Sequence, residues 1–408
     1  MTTAGNALPI PADFGSPPTA ADVARWTEAD RAARPTRLER LRARFADAGV
    51  DAYFGLRREN IRYLTGFTLG EGEEKGAGDS GRFLVGPDDV VLLADSRYTI
   101  QAHREATGAR IEFAYGDLSD RWARLAASVG ARRVAVEASA ISHALWVALS
   151  EAAPDVELVA IDGWVEEDRA IKEPAEIERI AAACTIADRA LATLLPEIRV
   201  DRTERELAVR LERLMRDGGA EALAFDATCL AGPEAALPHG SPGDRPVLAG
   251  AVLLFDFGAQ VAGYRSDMTR TLFVGDPSPR DLDLYRLVAG AQAASLELLG
   301  EHARRGAAPS GRAADAAARQ RIADAGHADH FGHGTGHGIG LATHEQPRLA
   351  RTAPETPLPA PTVFSVEPGV YLEGETGVRI EDLVLFDPGE RRLERLTRFP
   401  SEVVVIGG

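Results

Sequence analysis

Apolar and polar positions change their period several times along this chain, and the changes divide it. From Arg34 the segment RLERLRARFADAGV carries apolar residues at helical spacing. It leads into short β-branched and aromatic runs at DAYFGL, GRFLVGP and VVLLAD. A helix at TIQAHREA and strands at RRVAVEA and VELVAI complete an α/β pattern that ends near Asp162. Ahead of it, the opening MTTAGNALPIPADFGSPPTA has no period and is rich in Pro, Gly, Ala and Thr, which predicts an extended arm. The charged stretch GWVEEDRAIKEPAEIERI marks the boundary to a second half. The expected organisation is an arm over 1–33, an α/β domain over 34–165 and an α+β domain over 166–408.

The second half opens with two predicted helices, about 174–195 and 203–217. Pro174 stands where a first turn tolerates a missing N–H, Thr203 and Glu206 have capping-box spacing, and Gly218-Gly219 stops the second helix. Strands and hairpins follow, then helices from about Ser278 to Arg305 and Gly311 to Ala325, and a closing β-rich tail.

Two hairpins carry the candidate chemistry. AVLLFDFGAQVAGYRSDMTRTLFV reads as two strands joined at Val261-Ala262-Gly263, and pairing about that turn puts Asp256 opposite Asp267. VFSVEPGVYLEG and TGVRIEDLVLF flank Gly374, and pairing about that glycine puts Glu367 opposite Glu381. Like charges facing each other across a ladder destabilise it unless something positive lies between them. Two such pairs, each among Val, Leu, Phe and Ile, point to divalent ions. Hard oxygen donors suit Mn²⁺, Co²⁺ or Zn²⁺, and two close ions sharing a hydroxide balance four carboxylates. Between the hairpins, FGHGTGHGIGLATHEQP holds His333, His337 and His344, three of the nine histidines, and His239 follows a loop upstream.

Composition limits the alternatives. A 45% hydrophobic, 26% charged chain of 408 residues can build two cores, and a formal charge of −16 disfavours nucleic acid and anionic membranes as partners. Cys184 and Cys229 form no metal-finger spacing, and the sequence shows neither a secretory leader nor a membrane-length apolar run, so the expected location is cytoplasmic.

The strings ALPHG, DFGA, YRSDMTRT, GHGTGHGIG, HE-x-P, VEPGVY and GVRIED resemble those of pita-bread-fold metallopeptidases of the aminopeptidase P and prolidase type. ENIRYLTGF and ADSRY are similar to the non-catalytic creatinase/prolidase N-terminal domain that precedes it in those enzymes. The resemblance implies metal ligands at Asp256, Asp267, His337, Glu367 and Glu381, with Asp267 and Glu381 bridging two ions, Mn²⁺ first among the options. It further implies Glu367 as general base, with His239 and His344 beside the scissile carbonyl. Arg379 is expected to orient a ligand, and His333 and Arg348 to lie at the substrate side. Tyr264 and Asp382 adjoin the site without an assigned role. The implied activity is hydrolysis of the bond between an N-terminal residue and proline by an aminopeptidase acting through a metal-bridged hydroxide. The alternatives are an Xaa-Pro dipeptidase, in which Arg348 holds the substrate's free carboxylate, and more remotely a non-catalytic binding module. A homodimer is the family expectation.

Overall fold

The computed structural model describes residues 11, 13–70 and 72–407. The chain forms two compact units, one of residues 24–168 and one of residues 169–408 together with the described part of 1–23.

The smaller unit is built on six strands, β1 (Ala52–Gly55), β2 (Phe83–Val85), β3 (Val90–Ala94), β4 (Arg110–Phe113), β5 (Arg133–Glu137) and β6 (Glu157–Ile161). They lie in the order β4-β3-β2-β1-β5-β6, with β2 antiparallel to both neighbours and the other pairs parallel. Ala52, Phe54, Leu84, Val91, Val134 and Val136 enclose Trp122 and Leu149, which come from the helices Ser119–Ser128 and His143–Ala152. Where an arm was expected over 1–33, residues Ala20–Ala43 form one helix; residues 1–10 and 12 lie outside the described residues. Thr19 and Asp22 cap its start, Asp22 Oδ2 accepting from Thr19 N at 2.9 Å and Asp22 N donating to Thr19 Oγ1 at 3.2 Å. Ala, Arg and Glu favour the helix and Trp26 anchors it, but with few buried positions it shows no apolar period that would mark it in the sequence.

Among its described residues the larger unit holds fourteen strands, β7 (Ala222–Leu223), β8 (Thr228–Ala231), β9 (Val252–Phe257), β10 (Ala259–Val261), β11 (Tyr264–Arg265), β12 (Met268–Val274), β13 (Gly336–Gly338), β14 (Glu345–Leu349), β15 (Thr362–Val366), β16 (Gly369–Leu372), β17 (Thr376–Arg379), β18 (Asp382–Asp387), β19 (Arg392–Arg395) and β20 (Val405–Ile406). They make sheets ordered β20-β12-β9-β8, β14-β13-β15-β18-β19 and β11-β10-β7, with β16 and β17 as a separate hairpin. Helices Pro279–Arg304 and Gly311–Asp324 cover one side, burying Tyr285, Val288, Ala318 and Ile322 against Leu254, Phe273, Val378 and Ile380. The helices Pro174–Leu194 and Glu204–Asp217 form as the sequence predicts, the second with the Thr203/Glu206 box closed on both sides.

The hairpin registers differ in how well the sequence predicts them. The second pairs Val370 with Val378 and Leu372 with Thr376, and β15 pairs Val366 with Asp382, all symmetric about Gly374. The first pairs Asp256 with Thr269, not with Asp267. Ala262 and Gly263 both adopt positive φ, 45° and 83°, so the chain reverses in a two-residue turn one position later than the expected centre. The partner therefore shifts by two residues, which leaves Asp267 on the same face as Thr269.

Candidate metal centre

Asp256 lies near the end of β9, and Asp267 lies just before β12 on the other limb of the same hairpin. Glu367 falls in the gap between β15 and β16, and Glu381 in the gap between β17 and β18. At both gaps the ladder opens and the backbone turns to other strands. Glu367 N donates to Thr335 O at 2.7 Å, and Glu381 N donates to Thr269 O at 3.1 Å. The second contact ties the two hairpins together at the residues that bear carboxylates. Close backbone approach at β13 is possible because Gly336 has no side chain. A Cβ there would lie 1.9 Å from Ser365 O.

His337 comes from β13. Its Nδ1 donates to Gly338 O at 3.0 Å, which turns Nε2 toward the acids, 3.2 Å from Glu367 Oε1 and 3.8 Å from Asp267 Oδ2. Ser365 Oγ accepts from His337 N and donates to Glu367 Oε1, both at 3.0 Å. Donor atoms of Asp267, His337 and Glu381 all lie within 4.8 Å of one another.

The electrostatics of this cluster fit a cation. Burial, then the neighbouring carboxylates, pushes Asp267 and Glu381 well above the usual carboxylate range, and burial raises Asp256 despite Arg379. Burial also acts to raise Glu367, but the hydrogen bond and charge of His337 outweigh it and bring the group down to about 2. Asp256 Oδ1 and Glu381 Oε1 are buried with no hydrogen-bond partner among the described residues. Buried oxygens left this way are costly unless a donor or ion takes them. Two buried carboxylates, Asp267 and Glu381, and two partly buried ones, Asp256 and Glu367, with an imidazole are the donor set expected for hard or borderline divalent ions.

Around the donors lies a braced outer layer. Arg379 Nη2 donates to Asp256 Oδ2 at 2.6 Å and its Nε to Thr269 Oγ1 at 2.9 Å, and Thr269 Oγ1 in turn donates to Glu381 Oε2 at 2.8 Å. One guanidinium thus fixes a carboxylate on each hairpin. Its Nη1 reaches Tyr371 Oη at 2.9 Å, and that hydroxyl lies 2.8 Å from His333 Nε2. Thr269, Ser365 and Tyr371 were not picked out by sequence reasoning; Tyr371 stands within the VEPGVY string and was available there. Tyr264 and Asp382 hold structure: Tyr264 Oη bonds Glu176 at 2.9 Å, and Asp382 is buried among Arg270, Arg395, Thr397 and Gln292.

On the open side, the His344 ring packs 4.2 Å from His337, centroid to centroid. Burial, then the charge of His337 and those of His239 and Arg348, depresses His344 to about 4. His239, His344 and Arg348 are exposed side chains gathered beside the donors. Arg348 is the ladder partner of His337 and so shares its face of the sheet, and its guanidinium makes no hydrogen bond or ion pair to a described residue.

Comparison with known proteins agrees with this architecture. Residues 178–388 match the profile of Metallopeptidase family M24, and residues 37–171 match the Creatinase/Prolidase N-terminal domain. An Xaa-Pro dipeptidase of Pyrococcus furiosus is 32% identical over 90% of this chain and 99% of its own length. Among solved structures, an Xaa-Pro dipeptidase from Bacillus anthracis superposes with a TM-score of 0.82 at 34% identity, over 91% of this chain and 99% of the other. An X-Pro aminopeptidase from Thermotoga maritima gives 0.76 at 34% identity, over 88% and 98%. The chain has the pita-bread fold behind a creatinase-type N-terminal domain, and it belongs to metallopeptidase family M24.

Proposed function

We propose that this chain is an Xaa-Pro dipeptidase, cleaving the bond before a C-terminal proline with two divalent ions, Mn²⁺ first among Mn²⁺, Co²⁺ and Zn²⁺. The observation that carries the dipeptide reading is Arg348. A dipeptide presents a carboxylate on the proline itself, and an uncommitted guanidinium on the same sheet face as His337 suits that group. The relatives named as Xaa-Pro dipeptidases support the same choice over the aminopeptidase expected from the sequence. The Thermotoga neighbour, named an X-Pro aminopeptidase, keeps the longer-substrate reading as the second one.

In this reading Asp256, Asp267, His337, Glu367 and Glu381 would hold the ions, which when bound would supply Lewis-acid activation of water and of the scissile carbonyl. The chain's own residues do the rest. Glu367 accepts the proton of the attacking water and passes it to the proline nitrogen. His344, neutral at physiological pH, orients the substrate, and His239 stabilises charge developing at the carbonyl oxygen or the leaving nitrogen. Arg379 keeps Asp256 and, through Thr269, Glu381 in place, with Tyr371 and His333 behind it.

The test is metal dependence on a dipeptide. Protein stripped with a chelator should lose hydrolysis of Ala-Pro and regain it on adding Mn²⁺, with about two ions bound per chain at saturation. Full hydrolysis by stripped protein, or stoichiometric metal binding with no Xaa-Pro hydrolysis, would overturn it.

A further inference from the structure

The matched N-terminal domain begins at residue 37, so the short segment before the first helix lies outside both matched domains, yet part of it is built into the catalytic unit. Phe14 is only 3% exposed and stacks on Phe399 with ring centroids 6.3 Å apart and planes at 10°. The backbone beside it is fastened to the helix Pro174–Leu194. Arg189 Nη1 donates to Gly15 O at 2.6 Å, and a Cβ at Gly15 would lie 3.7 Å from Thr185 Cγ2. The preceding residue of that helix, Asp188, accepts from Arg398 N and Phe399 N, both at 2.8 Å. One helix therefore grips both halves of the Phe14–Phe399 stack.

Phe399 is in turn linked to Glu381 through a single residue, Arg270. Its carbonyl accepts from Arg270 Nη2 at 2.6 Å, and the Pro400 carbonyl accepts from Arg270 Nε at 2.9 Å. The same guanidinium, 1% exposed, donates through Nη1 to Glu381 O and through Nη2 to Asp382 Oδ1 at 2.7 Å. Arg270 thus holds the Glu381 carbonyl while Thr269 holds its carboxylate. The 398–400 segment has little regular structure of its own to hold it, because β19 ends at Arg395 and β20 begins at Val405. Its position depends on Asp188, Arg270 and the Phe14 ring.

We infer that Phe14 is a positioning residue of the metal centre: the N-terminal segment clamps Phe399, Phe399 seats Arg270, and Arg270 fixes Glu381. The inference rests on the metal-centre reading above. Direct outer-layer partners change metal affinity by about 10- to 100-fold, and Phe14 acts two contacts further out, so an effect of roughly 3- to 10-fold is expected. The experiment is Mn²⁺ titration calorimetry on the full chain for wild type, Phe14→Tyr, Phe14→Leu and Phe14→Ala, each checked for folding by circular dichroism. Hydrogen exchange at Phe399 N–H and Glu381 N–H is followed in parallel. The dissociation constant should stay near wild type in Phe14→Tyr and rise about 2-fold in Phe14→Leu. In Phe14→Ala it should rise about 3- to 10-fold, with faster exchange at both amides. If Phe14→Ala does not fold, Phe14→Leu decides alone. A lowered melting temperature with unchanged Mn²⁺ affinity in a folded variant makes Phe14 merely structural and overturns the inference by itself. A wild-type chain that binds no Mn²⁺ overturns the inference and the metal reading together.

Discussion

Replacing Arg348 by alanine removes the cation proposed to hold the proline carboxylate while leaving the metal donors untouched. Arg348 lies in β14 opposite His337, its side chain is exposed, and no described residue competes for its guanidinium. A charge-assisted hydrogen bond is worth about 1.5–3 kcal/mol, and solvent at this rim holds the value to the lower end, about 1.5–2. At about 1.4 kcal/mol per tenfold, kcat/KM for Ala-Pro should fall roughly 10- to 30-fold, mostly through KM. Ala-Pro-Gly has its carboxylate one residue further away and should change less than about 3-fold. Arg348→Lys keeps the charge but not the planar fork and should fall between the two. The assay is initial-rate release of proline or Pro-Gly at saturating Mn²⁺. Equal losses on both substrates, or none on either, would refute the reasoning.

Other outcomes follow from the same geometry. Asp267→Ala and Glu381→Ala should each abolish activity and lower bound metal for both ions, read by elemental analysis, whereas Asp256→Ala should weaken mainly one. His344→Ala and His239→Ala should lower kcat by about 10²-fold or more with metal content intact, as expected for lost transition-state contacts; metal loss in either would make that residue a ligand. Asp188 has its carboxyl raised by burial from 3.8 to about 6 in spite of its two backbone donors. The folded chain therefore holds that proton more tightly than the unfolded one. The stability this contributes is present below pH 4 and lost as pH rises to about 6. Urea denaturation should show wild type losing up to about 3 kcal/mol relative to Asp188→Asn across that window; a constant difference would rule out the shift.

Much of the site was legible in the sequence because sheet chemistry has a period of two. Acids at mirrored positions about Gly374 can only face the same side, and the second hairpin has the register that symmetry predicts. The first hairpin was misplaced by one turn position, since positive φ at Ala262 is a property of the folded turn and not of alanine. The error was harmless to the site because an even shift preserves the face. The helix Ala20–Ala43 was obscured because it carries no continuous apolar face, and the helix Ser119–Ser128 was overlooked although its buried Arg121, Trp122, Leu125 and Ala126 recur at helical spacing. Tyr371, Thr269 and the clamp on Phe399 come from contacts between distant segments, which periodicity does not encode. The lean toward an aminopeptidase came from motif strings that dipeptidases share. What shifts it is the position of Arg348 beside His337 together with the names of the relatives.

The most direct measurement is a chain-length panel on the wild-type protein, comparing kcat/KM for Ala-Pro, Ala-Pro-Gly and a longer Ala-Pro peptide, each with metal stripped and with Mn²⁺ restored. The Mn²⁺-loaded protein is expected to cleave the dipeptide at least tenfold more efficiently than either longer substrate, and the stripped protein to cleave none. Equal or better cleavage of Ala-Pro-Gly, or metal-independent turnover, would contradict it.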